Sequence, residues 1–175
     1  MRDTKTQEKS FPYAPTSLPY AMHALEPHIS AEIMQLHYEK HYKGYINNVN
    51  SALEKQEHIL TTCNYAELLQ VQKLIRFNLG GMVNHDLLWR TLSPVSEQGG
   101  QEPRGPLKIA IDQAFGSMAN MKKKLEDTAV AIQGSGWAWL AMEKDTKRLV
   151  LSATQNQDTP LAHGLIPFCF LVPIS

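Results

Sequence analysis

Three histidines and a tyrosine open the question of chemistry. His28, His37 and His41 lie within the stretch Leu25–Asn50, LEPHISAEIMQLHYEKHYKGYINNVN, which holds three of the chain's seven histidines. Ile33, His37, His41, Tyr45, Val49 and Leu53 recur at intervals of four, which sets them along one slowly drifting stripe of a helix. A stripe that is apolar at both ends and carries two imidazoles and a phenol in its middle must satisfy those polar groups. A metal ion beside a small polar channel would do so. A solvated helix face carrying His-x3-His is the other reading, and spacing alone does not separate the two.

The elements that would position these groups follow from the pattern around them. Ser30 is a helix N-cap, with Glu32 in the first turn at the positive end of the dipole. The helix runs from Ser30 to about Lys55, bent near Gly44. Thr61–Asn64 breaks it, and Asn64 with Glu67 fits a capping box for a second helix. That helix is predicted to stop near Phe77–Asn78 or at Gly80–Gly81, and a short helix with His85 and Trp89 at i, i+4 follows. The first two helices should form an antiparallel hairpin.

The stretch SPVSEQGGQEPRGP, residues 93–106, is a linker rich in Gly and Pro. Leu107–Phe115 reads as a helix, and Ser117 caps another that reaches about Ile132. The pattern then turns to strand: WAWLAMEKD, a turn at Asp145–Thr146, and RLVLSAT make a hairpin. The fold class is α+β, a long antiparallel helical hairpin followed by a mixed lobe with a small antiparallel sheet. The division is 1–17 a mobile leader, 18–92 the helical-hairpin domain, 93–106 the linker and 107–175 the second domain.

Composition excludes several classes. The formal net charge is +0 over 175 residues, which gives no global field for nucleic acid. No apolar run approaches a membrane span. Two cysteines, Cys63 and Cys169, make no disulfide framework and suit a reducing compartment. The first residues mix Arg2, Lys5 and Lys9 with Asp3 and Glu8, which argues for the cytoplasm, with the mitochondrial matrix as the alternative.

Five blocks in order, LPYAMHALEPHIS, QLHYEKHYKGYINNVN, KLIRFNLGGMVNHDLLW, GSGWAWL and NQD, resemble the iron/manganese superoxide dismutases over roughly residues 18–167. The resemblance implies dismutation of superoxide at one redox-cycling metal ion. It implies His37 and His85 as metal ligands, and His41 and Tyr45 as guards of the substrate funnel. Gln157 would be the amide that hydrogen-bonds the metal-bound solvent. Phe77, Trp137 and Trp139 would form the pocket wall, and His28 would be structural. Gln157 on the strand side, with Gly80–Gly81 on the helix side, implies manganese rather than iron. A homodimer or homotetramer is also implied.

The chain departs from the family after GLIP, Gly164–Pro167. There the resemblance implies a strand, an Asp-x-Trp-Glu-His block and closing helices, and this chain reads FCFLVPIS. The last two ligands, an Asp and a third His, are missing from that pattern. Asp158 and His163 are the nearby carboxylate and imidazole, read as solvated loop residues. The expectation is a truncated member, inactive as written and with an open edge on its hairpin. The alternative is a non-catalytic structural or assembly protein that retains the fold.

Overall fold

The computed structural model describes residues 11–171, with backbone alone for 169–171. Two helical rods form the first half. The first is composite: α1 (Ala31–Gln35), a π-helical segment (Leu36–Tyr42) and α2 (Lys43–Thr62). Ser30 caps it, its hydroxyl accepting from the Ile33 N–H at 3.2 Å. Cys63 in the left-handed region ends it, and Asn64 caps α3 (Tyr65–Thr91) through the Glu67 N–H. The rods pack antiparallel as predicted.

The bend expected at Gly44 is instead the π segment just before it. A widened turn with i→i+5 bonding re-phases the side chains, and such turns gather at functional sites. The buried stripe is accordingly Met34, Tyr38, Tyr42, Ile46 and Val49. This lies one residue beyond the predicted stripe at its start, so Ile33 is exposed, His41 is exposed, and His37 and Tyr45 stand half-buried at the core's edge.

The second correction concerns Gly80–Gly81, which do not end a helix. α3 runs through both to Thr91. Both glycines are buried, and each is small because something presses on it. A Cβ on Gly80 would stand 2.0 Å from the Gln157 carbonyl oxygen, and one on Gly81 2.5 Å from the Tyr45 ring. Close approach, not helix breaking, explains the pair.

After the linker, α4 (Pro106–Phe115) and α5 (Met118–Val130) lead into a sheet of β1 (Gly136–Glu143), β2 (Leu149–Gln155) and β3 (Leu165–Leu171). The order is β2-β1-β3, antiparallel throughout. β1 is central, and its period-2 alternation divides the cores. Trp137 and Trp139 join the hairpin cluster with Trp89 and Tyr42. Ala138 and Leu140 face Ile111, Met121 and Leu125 of α4 and α5. The open edge predicted for the hairpin is not there: β3 occupies it. Pro167 fits because β3 is an edge strand and the register shifts at Leu140/Ala141 beside it.

The leader was expected over residues 1–17. Its first ten residues lie outside the described ones. Residues 13 and 16 are hydrogen-bonded to the first rod. The Tyr13 backbone exchanges two bonds with the Asn50 amide, at 2.8 and 2.9 Å. The Thr16 N–H donates to the Tyr42 hydroxyl at 2.8 Å, and its carbonyl accepts from the Tyr38 hydroxyl at 2.7 Å.

Candidate metal centre

The helices and β1 meet at an open cavity of about 460 Å³ lined by His37, His41, Tyr45, Phe77, His85, Trp137 and Gln157, with Ser135, Gly136 and Asn156. Seven of the eight site residues expected from the sequence therefore share one cavity. Trp139 does not line it. Strand alternation puts Trp139 one layer behind, stacked on Trp137 at 5.4 Å, with its indole N–H donating to the Thr154 hydroxyl at 2.9 Å.

His85 is the buried anchor, 3 % exposed. Its Nδ1 lies 2.7 Å from the Gly81 carbonyl oxygen, one turn back on α3. A carbonyl can only accept, so Nδ1 carries the proton and Nε2 presents a lone pair. That Nε2 lies 2.9 Å from Nε2 of His37, delivered by the π segment from the other rod. Burial, and then the neighbouring His37, push the His85 imidazole down to about 4. Burial, and then His41, lower His37 as well. Both rings are thus held in the neutral, ligating form.

The ring packing fixes this pair. His37 meets Trp89 edge-on at 5.2 Å, and His85 meets Trp137 edge-on at 5.3 Å. Tyr45 lies 5.2 Å from His85, and Phe77 stands 6.0 Å beyond Tyr45. Burial raises the Tyr45 phenol, so it stays protonated at neutral pH. His41 sits at the exposed mouth, 6.0 Å from His37. Gln157 comes from the loop after β2, and its Oε1 accepts from the Trp137 indole N–H at 3.3 Å.

Three residues of this neighbourhood were given no role from the sequence. Tyr42, fully buried, stacks over His85 at 6.4 Å and donates its hydroxyl to Asp86. Trp89 carries the aromatic contact to His37. Asn84, fully buried, binds the Gln157 loop. The i, i+4 relation of His85 to Trp89 was a signal for Trp89; nothing local marks Tyr42 or Asn84. Asp158 is also more than a solvated loop residue, since Arg76 binds it in a bidentate pair at 3.0 and 2.8 Å. His163 is exposed, as read.

Two imidazole nitrogens 2.9 Å apart fit neighbouring positions around a metal, where each bond is of the order of 2 Å. Among the described residues, no group of three or more His, Cys, Asp or Glu could hold an ion. The pair therefore fits part of a coordination sphere.

Residues 12–93 match the alpha-hairpin domain of the iron/manganese superoxide dismutases, and residues 103–173 match their C-terminal domain. The chain belongs to the iron/manganese superoxide dismutase family. It is 45% identical over 152 residues to a mitochondrial manganese superoxide dismutase of Arabidopsis thaliana, covering 86% of this chain and 66% of the relative. It is 48% identical over 147 residues to the manganese superoxide dismutase of Chlamydia pneumoniae, covering 84% and 71%. A mitochondrial manganese enzyme of Zea mays is 45% identical over 152 residues, covering 86% and 65%. The chain spans about two thirds of the length of these superoxide dismutases.

Proposed function

We propose that this chain carries the helical and sheet-side parts of a manganese superoxide dismutase centre, for the reaction 2 superoxide + 2 H+ → O2 + H2O2. The observation that supports it is the 2.9 Å approach of the His37 and His85 Nε2 atoms inside the cavity. When bound, the metal would supply an ion that accepts and returns one electron. His37 and His85 would hold it. Gln157 Oε1 is engaged by Trp137, which leaves the amide NH2 as a donor toward the cavity. The Tyr45 hydroxyl carries a proton that burial retains, and it would pass protons toward the exposed His41.

Manganese rather than iron is supported by Gln157 entering from the sheet side while Gly80–Gly81 present no side chain on the other. The printed names of the three relatives point the same way. The two plant relatives are named mitochondrial, which favours the matrix over the cytoplasm. Self-association as a dimer or tetramer would use apolar side chains exposed on the hairpin, such as Leu60, Tyr65 and Leu69.

A second reading, a non-catalytic protein with this fold, is favoured by the absence of a group of three or more donors among the described residues. The experiment is to express residues 1–175 with excess manganese and measure metal content and superoxide decay. Weak manganese binding through His37 and His85, with slow decay, is the expected result. No manganese binding at all would favour the non-catalytic reading. Stoichiometric, tightly held manganese would show donors beyond the pair.

A further inference from the structure

The loop Asn156–Asp158 rests directly on α3. At Gly80 there is no room between them, because a Cβ would lie 2.0 Å from the Gln157 carbonyl oxygen. One turn later, Asn84 places its Nδ2 3.2 Å from the carbonyl oxygens of both Gln157 and Asp158. One turn earlier, Arg76 grips the Asp158 carboxylate with two N–H groups. Residues 76, 80 and 84 thus hold a three-residue loop from one helix face. On the loop's other side the Gln157 amide oxygen takes the Trp137 N–H.

We propose that Asn84 and Gly80, with Arg76 as an outer stay, are positioning residues that set where the Gln157 amide stands in the cavity. This rests on the reading of Gln157 as the amide that faces the metal. Asn84 is fully buried, and its Oδ1 has no hydrogen-bond partner among the described residues. Each unpaired buried group costs stability, so the NH2 of this amide must offset its idle acceptor. Its two N–H bonds serve two carbonyls at once. A serine has one donor, and an aspartate would repel both oxygens. The Arg76–Asp158 pair is exposed at 71% and 37%, so solvent screening makes it the weakest of the three.

The test uses the full metal-free chain and follows the indole N–H signals of Trp137 and Trp139 by NMR. Gln157→Ala sets the reference, with Trp137 exchange about fivefold faster for one lost hydrogen bond. Asn84→Ala should move Trp137 toward that reference and leave Trp139, on Thr154, in place. Gly80→Ala should do the same by lifting the loop, and Asp158→Ala should give a smaller change; these two decide the matter should Asn84→Ala fail to fold. Trp137 unmoved in a folded variant at residue 80 or 84 overturns the proposal. So does Trp139 shifting equally, which is general loosening. Separately, Mn2+ added to the wild-type chain should broaden the Trp137 and His85 signals. Its failure to do so overturns the metal reading, while leaving the clamp measured without metal standing on its own result.

Discussion

The Nε2 atoms of His37 and His85 lie 2.9 Å apart, though 48 residues separate them in the chain. One is set by a π turn and the other by a carbonyl bond from Gly81. The two rings also meet edge-on at 4.9 Å, so the pair is held from both helices and by its own contact.

Manganese binding should therefore depend on both rings. His37→Ala and His85→Ala are each expected to weaken Mn2+ binding about tenfold or more, since even supporting partners of a metal ligand are worth that much. His41→Ala should weaken it far less, because His41 stands at the mouth. Titration followed by electron paramagnetic resonance of free Mn2+ measures all three. Equal loss in all three would contradict the assignment.

The legible parts of the sequence were those with local causes. The caps at Ser30, Asn64 and Ser117 stand as read, each accepting a backbone N–H. The strand pattern at Trp137 and Trp139 was visible because period-2 alternation is local. The misreadings have separate causes. Gly80 and Gly81 look like a helix stop until the Gln157 loop and the Tyr45 ring press on them, and both of those contacts are distant in sequence. The π turn re-phased a stripe read at a regular period. β3 was missed because LIPFCFL contains a proline, and a proline is tolerated only at an edge whose place in the sheet the sequence does not state.

Gly81→Ala should be destabilising, by about 1–3 kcal/mol for an overpacked core position. The new methyl would meet the Tyr45 ring at 2.5–2.8 Å, and the helix cannot move without taking His85 with it. Thermal unfolding measures the loss. The companion Tyr45→Ala in the same background should recover part of it by making room. Additive losses would show that the clash lies elsewhere.

Alkaline pH should weaken the fold in a definite window. The Tyr20 hydroxyl is buried without a partner among the described residues, and burial pushes its phenol up to about 12 from 10.0. Between pH 10 and 12 the unfolded tyrosine releases its proton while folded Tyr20 keeps it. The folded state then binds more protons, and stability falls as pH rises through the window. Tyr20→Phe removes this contribution, so its stability should decline less steeply over that range. Denaturant unfolding at pH 8, 10 and 11 tests it; parallel curves for the two proteins would refute the cause.

A different outcome is expected at Tyr42, another buried phenol raised above its ordinary value. Burial and the hydrogen bond to Asp86 are the leading causes. Where Tyr20 has an idle hydroxyl, Tyr42 uses its own twice: it donates to Asp86 and accepts from the Thr16 N–H. Tyr42→Phe leaves that buried-side N–H without its acceptor and should cost about 1–3 kcal/mol at neutral pH, whereas Tyr20→Phe should cost little. The loss should also be local. Amide exchange at Thr16 should quicken, because its N–H loses its only hydrogen bond among the described residues. The Tyr13 N–H, held by Asn50 at 2.8 Å, should stay protected. The His85 ring, which stacks on Tyr42, should keep its bond to Gly81, since the phenyl ring remains to pack against it. Exchange quickening equally at Tyr13 and Thr16 would mean that the whole N-terminal segment is held by one latch at Tyr42 instead of two separate ones.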